Sequence, residues 1–222
     1  VLKKADYIII DFDSTFISKE SLDMLAESCT KKYKNCHKVI KQIQTITDQG
    51  MSGKIDFRDS LDRRIKLIKA TKKDVVKVSR SLTQIVSKSF SKNKKFIMDN
   101  REKIFFISGG FKEMLLPVLM NFKIRKNHIF GNEFIYNSDE EVIGFNINNP
   151  LASENGKVKI LETISLKGEV HVIGDGYNDY LLKKSGKVSS FYAFTENVYR
   201  KEVCNVADKI LRSFDEYVKI FS

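Results

Sequence analysis

Tyr7-Ile8-Ile9-Ile10 is an apolar run near the start of the chain, and Asp11-Phe12-Asp13-Ser14-Thr15 follows it directly. A run this short, rich in β-branched and aromatic residues, predicts a strand that is buried on both faces. Because Asp11 and Asp13 are separated by one residue, their side chains share one side of the extended backbone. Both then lie beyond the carboxyl end of a strand, where open α/β sheets bind ligands.

The paired carboxylates of Asp11 and Asp13 allow two interpretations. Like charges held close together raise each other's pKa, and a bound cation is the simplest way to relieve that repulsion. Alternatively, one Asp caps the helix that follows and the other lies in a loop, with no ligand. The pair by itself leaves both interpretations open, and residues further along the chain have to decide between them.

Composition limits the class of protein. A chain of 222 residues, 42% of them hydrophobic, suits one compact domain or a core with an inserted subdomain. No apolar run approaches the ~20 residues of a membrane span, and no secretory signal pattern is present. We therefore expect a cytoplasmic protein with no membrane partner. The cysteines are odd in number and match no metal-ligand spacing, which predicts reduced thiols. They are Cys29, Cys36 and Cys204.

The net charge of +11 is carried mostly by lysines that are spread along the whole chain. A basic balance can indicate nucleic-acid binding. Because no arginine- and aromatic-rich RNA-binding motif accompanies these lysines, a solvated surface explains them more simply, and we expect no nucleic-acid partner. The charge can still attract a small phosphorylated anion. Whether the protein is a monomer or a homodimer is left open.

The segment after Thr15 has helical periodicity and no strand pattern. Its apolar residues recur at the three- and four-residue steps that place them on one face of a helix. Residues 49–53 carry two glycines and predict a break between helices. The predicted helices cover residues 21–29, 39–46, 57–68 and 74–88. We therefore expect a helical bundle at residues 16–85.

Strand and helix patterns alternate from residue 90 onward. Such alternation implies a parallel sheet with right-handed crossovers. Asn137-Ser138-Asp139-Glu140, between two short apolar runs, predicts a hairpin. The further predicted strands of the sheet cover residues 104–107, 170–173 and 191–194. The fold class is therefore α/β, with a Rossmann-like parallel sheet. The predicted division is a core of residues 1–15 and 86–222 and a helical cap of residues 16–85.

Two more predicted strands end in residues suited to phosphate chemistry. Ser108 and Gly109 offer a hydroxyl and backbone N–H groups in front of a helix N-terminus, which favours anion binding. Asp175 and Asp179 lie in a glycine-rich turn. Acidic oxygen ligands favour Mg²⁺, which takes one or two carboxylates and leaves room for a phosphate. Each motif alone is weak, but the three in this order predict a phosphate site with a metal ion.

The three motifs resemble those of the haloacid dehalogenase superfamily and, within it, those of the phosphoserine phosphatases. They are DFDST at 11–15, ISGGF at 107–111 and GDGYND at 174–179. GKIDFRDSL at 53–61, with Arg63-Arg64, resembles the cap region of the same family. The resemblance covers nearly the whole chain, and it implies a haloacid dehalogenase fold with an inserted helical-bundle cap.

Residues 193–198 and Tyr180 resemble a subgroup in which the phosphatase domain is sometimes joined to a phosphoglycerate dehydrogenase. No Gly-x-Gly-x-x-Gly turn occurs in the chain, so nothing in it supports dehydrogenase activity. Tyr177 and Tyr180 differ from the Ala and Leu that are commoner in stand-alone phosphatases.

The resemblance implies a role for each core residue. Asp11 would be the nucleophile that forms an aspartyl-phosphate, and Asp13 the general acid and base. Lys157, at the start of a predicted helix, would pair with the phosphoryl group and Asp11, although Lys159 is close. Mg²⁺ would bind the Asp11 carboxylate, the Asp13 backbone carbonyl and Asp175. Supporting or phosphoryl-binding roles fall to Ser108, Gly109, Asn178 and Asp179.

Four residues of the helical segment and its junction would select the substrate, again by resemblance. Glu20 matches the family's partner for the phosphoserine ammonium group, and Arg64 its partner for the carboxylate, which arginine can bind bidentately. Met51 and Phe57 would wall the pocket. Alternatively, Glu20 is a charge at a helix N-terminus and Arg64 is a surface residue.

The sequence therefore predicts a Mg²⁺-dependent phosphatase that hydrolyses O-phospho-L-serine in serine biosynthesis. A phosphotransferase, or a phosphatase for another small phosphorylated metabolite, is the alternative within the enzyme class. A non-catalytic regulatory domain on the same fold is the alternative outside it. The presence of both Asp11 and Asp13 argues against the latter.

Overall fold

The computed structural model describes residues 4–30, 36–51 and 54–221, with the backbone alone for Met51. The strands are β1 (Tyr7–Ile10), β2 (Ile104–Phe111), β3 (Ile129–Asn132), β4 (Phe134–Tyr136), β5 (Val142–Phe145), β6 (Val170–Gly174), β7 (Ser190–Phe194) and β8 (Lys209–Leu211). The α-helices are α1 (Ser21–Thr30), α2 (Cys36–Met51), α3 (Phe57–Ile68), α4 (Lys72–Leu82), α5 (Lys88–Lys92), α6 (Lys94–Asp99), α7 (Lys112–Met120), α8 (Gly156–Ile164), α9 (Tyr177–Lys184), α10 (Lys201–Val206) and α11 (Phe214–Phe221).

Six strands form one parallel sheet in the order β3-β2-β1-β6-β7-β8. The chain runs outward from β1 to β3 and then returns to the other side of β1 for β6. The strand order therefore reverses between β1 and β6, and open α/β sheets bind ligands beyond the carboxyl ends of the strands at such a switch point. The predicted α/β class with a parallel sheet is confirmed.

The central strand β1 is buried on both faces, as its apolar run predicted. Ile8 and Ile10 pack into the apolar cluster on one face of the sheet, and Ile9 packs into the cluster on the other. All three side chains are at most 1% exposed. This burial holds the backbone that carries Asp11 at the switch point.

The sheet has two edge strands that the sequence pattern did not reveal, β3 and β8. Each is short: β3 ends in Gly131 and Asn132, and the β8 residues Lys209 and Ile210 are exposed, so neither has the continuous apolar run that predicts a buried strand. β2 is also longer than expected, because pairing with β3 extends it through Gly109 and Gly110 to Phe111. The hairpin is confirmed as the antiparallel pair β4–β5.

Six of the described helices, α1 to α6, lie between β1 and β2, and the bounds of α2 and α4 differ from those predicted. α2 continues through Gly50, where α3 approaches so closely that a Cβ would lie 2.5 Å from Ser60 Oγ. α4 begins at Lys72, after a capping box in which Thr71 and Asp74 bond each other's backbone N–H groups. It ends at Leu82, earlier than predicted, and a 3₁₀ turn at Thr83–Ile85 follows.

The helical segment is attached to the rest of the molecule on two sides. At its chain ends, Ser87 N donates to Phe16 O (2.9 Å). On the opposite side, it bonds the hairpin, where Val142 N donates to Ala70 O (2.8 Å) and Lys72 N to Glu140 O (2.8 Å). One buried apolar cluster includes residues of both parts. The division into a cap at 16–85 and a core at 1–15 and 86–222 stays a prediction.

Within the described residues, no helix combines the length and the apolar character that crossing a membrane requires.

Candidate active site

The turn after β1 carries the first two carboxylates. Asp11 N donates to Ile173 O (2.9 Å), so Asp11 is bonded to β6 across the switch point. Ser14 takes the left-handed conformation, with φ at 55°, which costs a residue with a Cβ of the order of 1 kcal/mol. The Ser14 hydroxyl donates to Glu20 Oε1 (2.6 Å). The turn thereby fixes Glu20 beside the end of the strand.

Three buried carboxylates converge at the ends of β1 and β6. Asp11, Asp175 and Asp179 each offer an oxygen, and these oxygens lie within 4.8 Å of one another. Lys157 Nζ donates to Asp11 Oδ1 and to Asp179 Oδ1, both at 2.7 Å. Thr15 Oγ1 donates to Asp175 Oδ1 (2.8 Å). The carboxylates predicted from two separate motifs therefore form one site.

This carboxylate cluster carries more negative charge than its lysine balances. Burial raises the pKa of Asp179 to about 7, with Lys157 opposing and Asp11 adding to the rise. Burial, and then Asp11, raise the pKa of Asp175. Burial alone would lower the pKa of Lys157, but Asp11 and Asp179 outweigh it and raise that pKa, so the ammonium stays charged. An excess of buried, all-oxygen negative charge fits a divalent metal ion.

Asp13 faces the second motif rather than the carboxylate cluster. Its Oδ1 accepts from Ser21 N (2.8 Å) at the start of α1, and its Oδ2 is 2.7 Å from where a Cβ on Gly110 would lie. A side chain at Gly110 would therefore collide with this carboxylate. Burial raises the pKa of Asp13 well above its ordinary value, and Glu20 and Asp11 add to the rise. Asp13 was predicted to bind the metal through its backbone carbonyl, and that role stays a prediction.

The second motif forms the carboxyl end of β2, and a residue of α3 covers it. Ser108 is buried, and its Oγ accepts from Gly110 N (3.0 Å). The Phe57 ring of α3 lies so close to Gly109 that a Cβ there would be 3.2 Å from Phe57 Cζ. The absence of a side chain at Gly109 therefore lets Phe57 pack against the end of β2.

Of the two predicted selectivity residues, Arg64 is buried and Glu20 is half-buried. Burial raises the pKa of Glu20 to about 7, although the bond from Ser14 opposes the rise. Arg64 on α3 is 7% exposed, so its alternative interpretation as a surface residue is wrong. Burial lowers the pKa of Arg64, while the charges of Asp23, Glu20 and Asp13 oppose that change. A buried arginine beside acidic residues of the site suits the binding of a carboxylate.

The other predicted site residues are Lys157, Asn178 and Met51. Lys157 rather than Lys159 reaches Asp11, since Lys159 is exposed and donates to Ser153 Oγ (3.2 Å). Asn178 is exposed on the first turn of α9. The side chain of Met51 lies outside the described residues. The roles given to all these residues stay predictions.

Sequence reasoning missed two side chains at this edge of the sheet. Arg200 Nε donates to Asp175 Oδ2 (3.1 Å), and nothing distinguished it among 39 lysines and arginines. Asn132 donates to Gly109 O (2.9 Å) and Leu151 O (3.2 Å). It ends β3, a strand that was itself not predicted.

Comparisons with known proteins agree with this fold. A solved phosphoserine phosphohydrolase-like protein from Francisella tularensis is 31% identical, with a TM-score of 0.86 over 98% of this chain and 100% of that chain. The phosphoserine phosphatase of Drosophila melanogaster is 26% identical over 97% of this chain and 78% of its own length. That of Methanocaldococcus jannaschii is 27% identical over 98% and 99%. No family model matched the chain.

A parallel sheet with buried carboxylates at its switch point, and a 31% identical solved relative that matches nearly the whole chain, define a haloacid dehalogenase-type hydrolase. The chain belongs to the phosphoserine phosphatase family of that superfamily.

Proposed function

We propose that this enzyme hydrolyses O-phospho-L-serine to serine and phosphate through an aspartyl-phosphate, as a step of serine biosynthesis. The observation that carries the proposal is the convergence of Asp11 and Asp13 with residues 108–110 at the end of β2, beneath Phe57 and near the buried Arg64. The core groups suit a phosphoryl group, and Glu20 and Arg64 suit the ammonium and carboxylate of phosphoserine. The predicted cytoplasmic location and the lack of a nucleic-acid partner rest on composition alone.

The reaction takes two displacements at phosphorus. In the first, an Asp11 oxygen bonds to phosphorus, the bond from phosphorus to the serine oxygen breaks, and Asp13 gives that oxygen a proton. In the second, a water molecule gives its proton to Asp13 and attacks phosphorus, and the bond to Asp11 breaks to release phosphate. Lys157, bonded to Asp11 Oδ1, orients the nucleophile. Ser108, with the backbone N–H groups that follow it at the end of β2, holds phosphoryl oxygens.

The donor set fits Mg²⁺, which would be held by Asp11, Asp175 and the backbone carbonyl of Asp13. Asp179 would stabilise the groups that bind the metal without binding it directly. When bound, it supplies the positive charge that lets an anionic carboxylate approach an anionic phosphoryl group. The bonds from Thr15 and Arg200 hold the Asp175 carboxylate in place.

Removal of divalent metal should abolish phosphate release. Mg²⁺ should restore it, whereas Ca²⁺ should inhibit, because Ca²⁺ takes more ligands at longer distances. The measurements are phosphate release after exhaustive chelation and the rise in melting temperature as Mg²⁺ is added back. Asp175→Asn should lose most of that rise. Full activity in the chelated protein would overturn the metal assignment.

Arg64→Ala should weaken phosphoserine turnover selectively. Loss of one charge-assisted contact lowers kcat/KM by roughly ten- to a few-hundred-fold, and p-nitrophenyl phosphate, which lacks the carboxylate, should change little. Glu20→Gln should likewise lower the preference for phosphoserine over an ester without the amine. Arg63→Ala is the matched control, because Arg63 is exposed and pairs with Asp59 at 2.6 Å. Equal losses on both substrates would mean that Arg64 and Glu20 are structural.

The decisive test of the proposed function is a panel of phosphorylated small molecules assayed with Mg²⁺. Phosphoserine should have the highest kcat/KM. A higher value for another metabolite, or faster transfer to an alcohol than to water, would replace the proposal with one of the alternatives. If no member of the panel is hydrolysed, the interpretation that remains is a non-catalytic regulatory domain.

A further inference from the structure

A threonine hydroxyl connects the buried arginine to a neighbouring acidic residue. Thr47 lies on α2 and is 8% exposed. Arg64 Nη1, on α3, donates to Thr47 Oγ1 (3.3 Å). Thr47 Oγ1 in turn lies 3.3 Å from Asp23 Oδ1 on α1 and 3.1 Å from Ile43 O on its own helix, so its single proton serves one acceptor or the other. The Thr47 hydroxyl therefore contacts residues of three helices, α1, α2 and α3.

The contacts of Arg64 with other residues that the structure describes restrain its guanidinium plane and leave part of it available. Nε donates to Ser60 O (3.3 Å), one turn earlier on α3, and Nη1 donates to Thr47. A guanidinium group has five N–H donors in a planar fork. These contacts use two of them, and two parallel N–H groups are what a carboxylate needs for bidentate binding.

Asp23 compensates the buried charge of Arg64 through this arrangement. Among the groups that oppose the effect of burial on the pKa of Arg64, Asp23 acts most strongly, followed by Glu20 and Asp13. Arg64 opposes the rise that burial causes in the pKa of Asp23. Because the Thr47 hydroxyl lies between the two groups, the Asp23 carboxylate can stabilise the cation without occupying the donors that a substrate would use.

We propose that Thr47 is a positioning residue for substrate selectivity: its hydroxyl accepts from Arg64 and holds the guanidinium ready for the carboxylate of the substrate. This inference rests on the proposed function, since it assumes a substrate that carries a carboxylate. Thr47 does not contact the phosphoryl group in this account, so its effect passes through Arg64 alone.

Two substitutions separate the hydroxyl from the packing of the side chain. Thr47→Val keeps the shape of the side chain and removes the hydroxyl. Thr47→Ser keeps the hydroxyl and removes a methyl group. A merely structural Thr47 would tolerate Val at least as well as Ser, whereas a positioning hydroxyl requires Ser and fails with Val. Thr47→Ala replaces Thr47→Val in the same comparison if the valine variant does not fold.

The measurement is kcat and KM for phosphoserine and for p-nitrophenyl phosphate in each variant with Mg²⁺. Thr47→Val should raise the KM for phosphoserine about 5- to 20-fold, with little change in kcat or in either constant for the aryl phosphate. Thr47→Ser should stay within about twofold of the parent protein, because it retains the hydrogen bond.

A double-mutant cycle tests whether Thr47 acts through Arg64. Thr47→Val combined with Arg64→Ala should be no worse on phosphoserine than Arg64→Ala alone, because the residue that Thr47 positions is already gone. Losses that multiply in the double variant, or an unchanged substrate ratio in Thr47→Val, would overturn the role of Thr47 while leaving the proposed function intact. If the unsubstituted protein shows no preference for phosphoserine, the proposed function fails, and the inference fails with it.

Discussion

Asp11→Asn should keep the fold and lower phosphoserine hydrolysis by about 10³-fold or more, the scale seen when a covalent nucleophile is removed. The amide has nearly the shape of the carboxylate but cannot form an aspartyl-phosphate. Asp11 lies where β1 ends, bonded to β6 through its backbone and to Lys157 through its side chain. The measurements are phosphate release and mass spectrometry after rapid quench, with circular dichroism as the folding control.

The matched control for Asp11→Asn is Asp62→Asn, which makes the same chemical change at an exposed residue paired with Lys66. It should leave turnover unchanged, since a surface ion pair contributes little. If Asp11→Asn retained activity within about tenfold of the parent protein, Asp11 would not be the nucleophile, because a residual rate that high needs the covalent step.

Lys157→Met should damage both turnover and stability. Lys157 is the cation bonded to Asp11 and Asp179, and removing one partner of a buried ion pair typically costs about 3–5 kcal/mol. Turnover should fall by about 10²-fold or more, since the nucleophile loses its orienting partner and the phosphoryl group a positive charge. Lys159→Met is the control, because that lysine is exposed on the same helix.

The stability loss in Lys157→Met should depend on pH. The pKa of Asp179 in the folded protein is raised to about 7 from an ordinary value of 3.8. The folded state therefore binds the proton more tightly than the unfolded state, and the contribution of Asp179 to stability decreases as pH rises through that window. Since Lys157 opposes the rise in the pKa of Asp179, the Lys157→Met substitution should raise that pKa further and extend the pH range over which stability decreases. The stability deficit of Lys157→Met relative to the parent protein should therefore grow with pH.

Urea unfolding in the presence of a chelator, at about pH 5.5 and about pH 8.5, measures this difference. The deficit of Lys157→Met relative to the parent protein should be small at the lower pH, where Asp179 is protonated, and large at the higher pH. A deficit that is equal at both values, or that also appears in Lys159→Met, would show that the buried carboxylates do not depend on Lys157.

Local sequence patterns were sufficient to predict the central strand of the sheet and the edge of the sheet that carries the site. The apolar run of β1, buried on both faces, and the polar residues at its end identified the strand and its edge of the sheet, because burial on two faces demands continuous apolar sequence. Sequence motifs at the ends of β2 and β6 were likewise sufficient, since parallel strands bring their carboxyl ends to the same edge. The α/β fold and the family followed from these features.

Only the tertiary structure decided the contacts that complete the site. Arg200 and Asn132 carry no local signal, because their partners Asp175 and Gly109 are distant in the sequence and a hydrogen bond leaves no periodicity. The edge strands β3 and β8 exist through pairing with their neighbours rather than through their own apolar pattern. The setting of Arg64 depends on how three helices pack, so its burial and its bond to Thr47 became visible only when those helices were assembled.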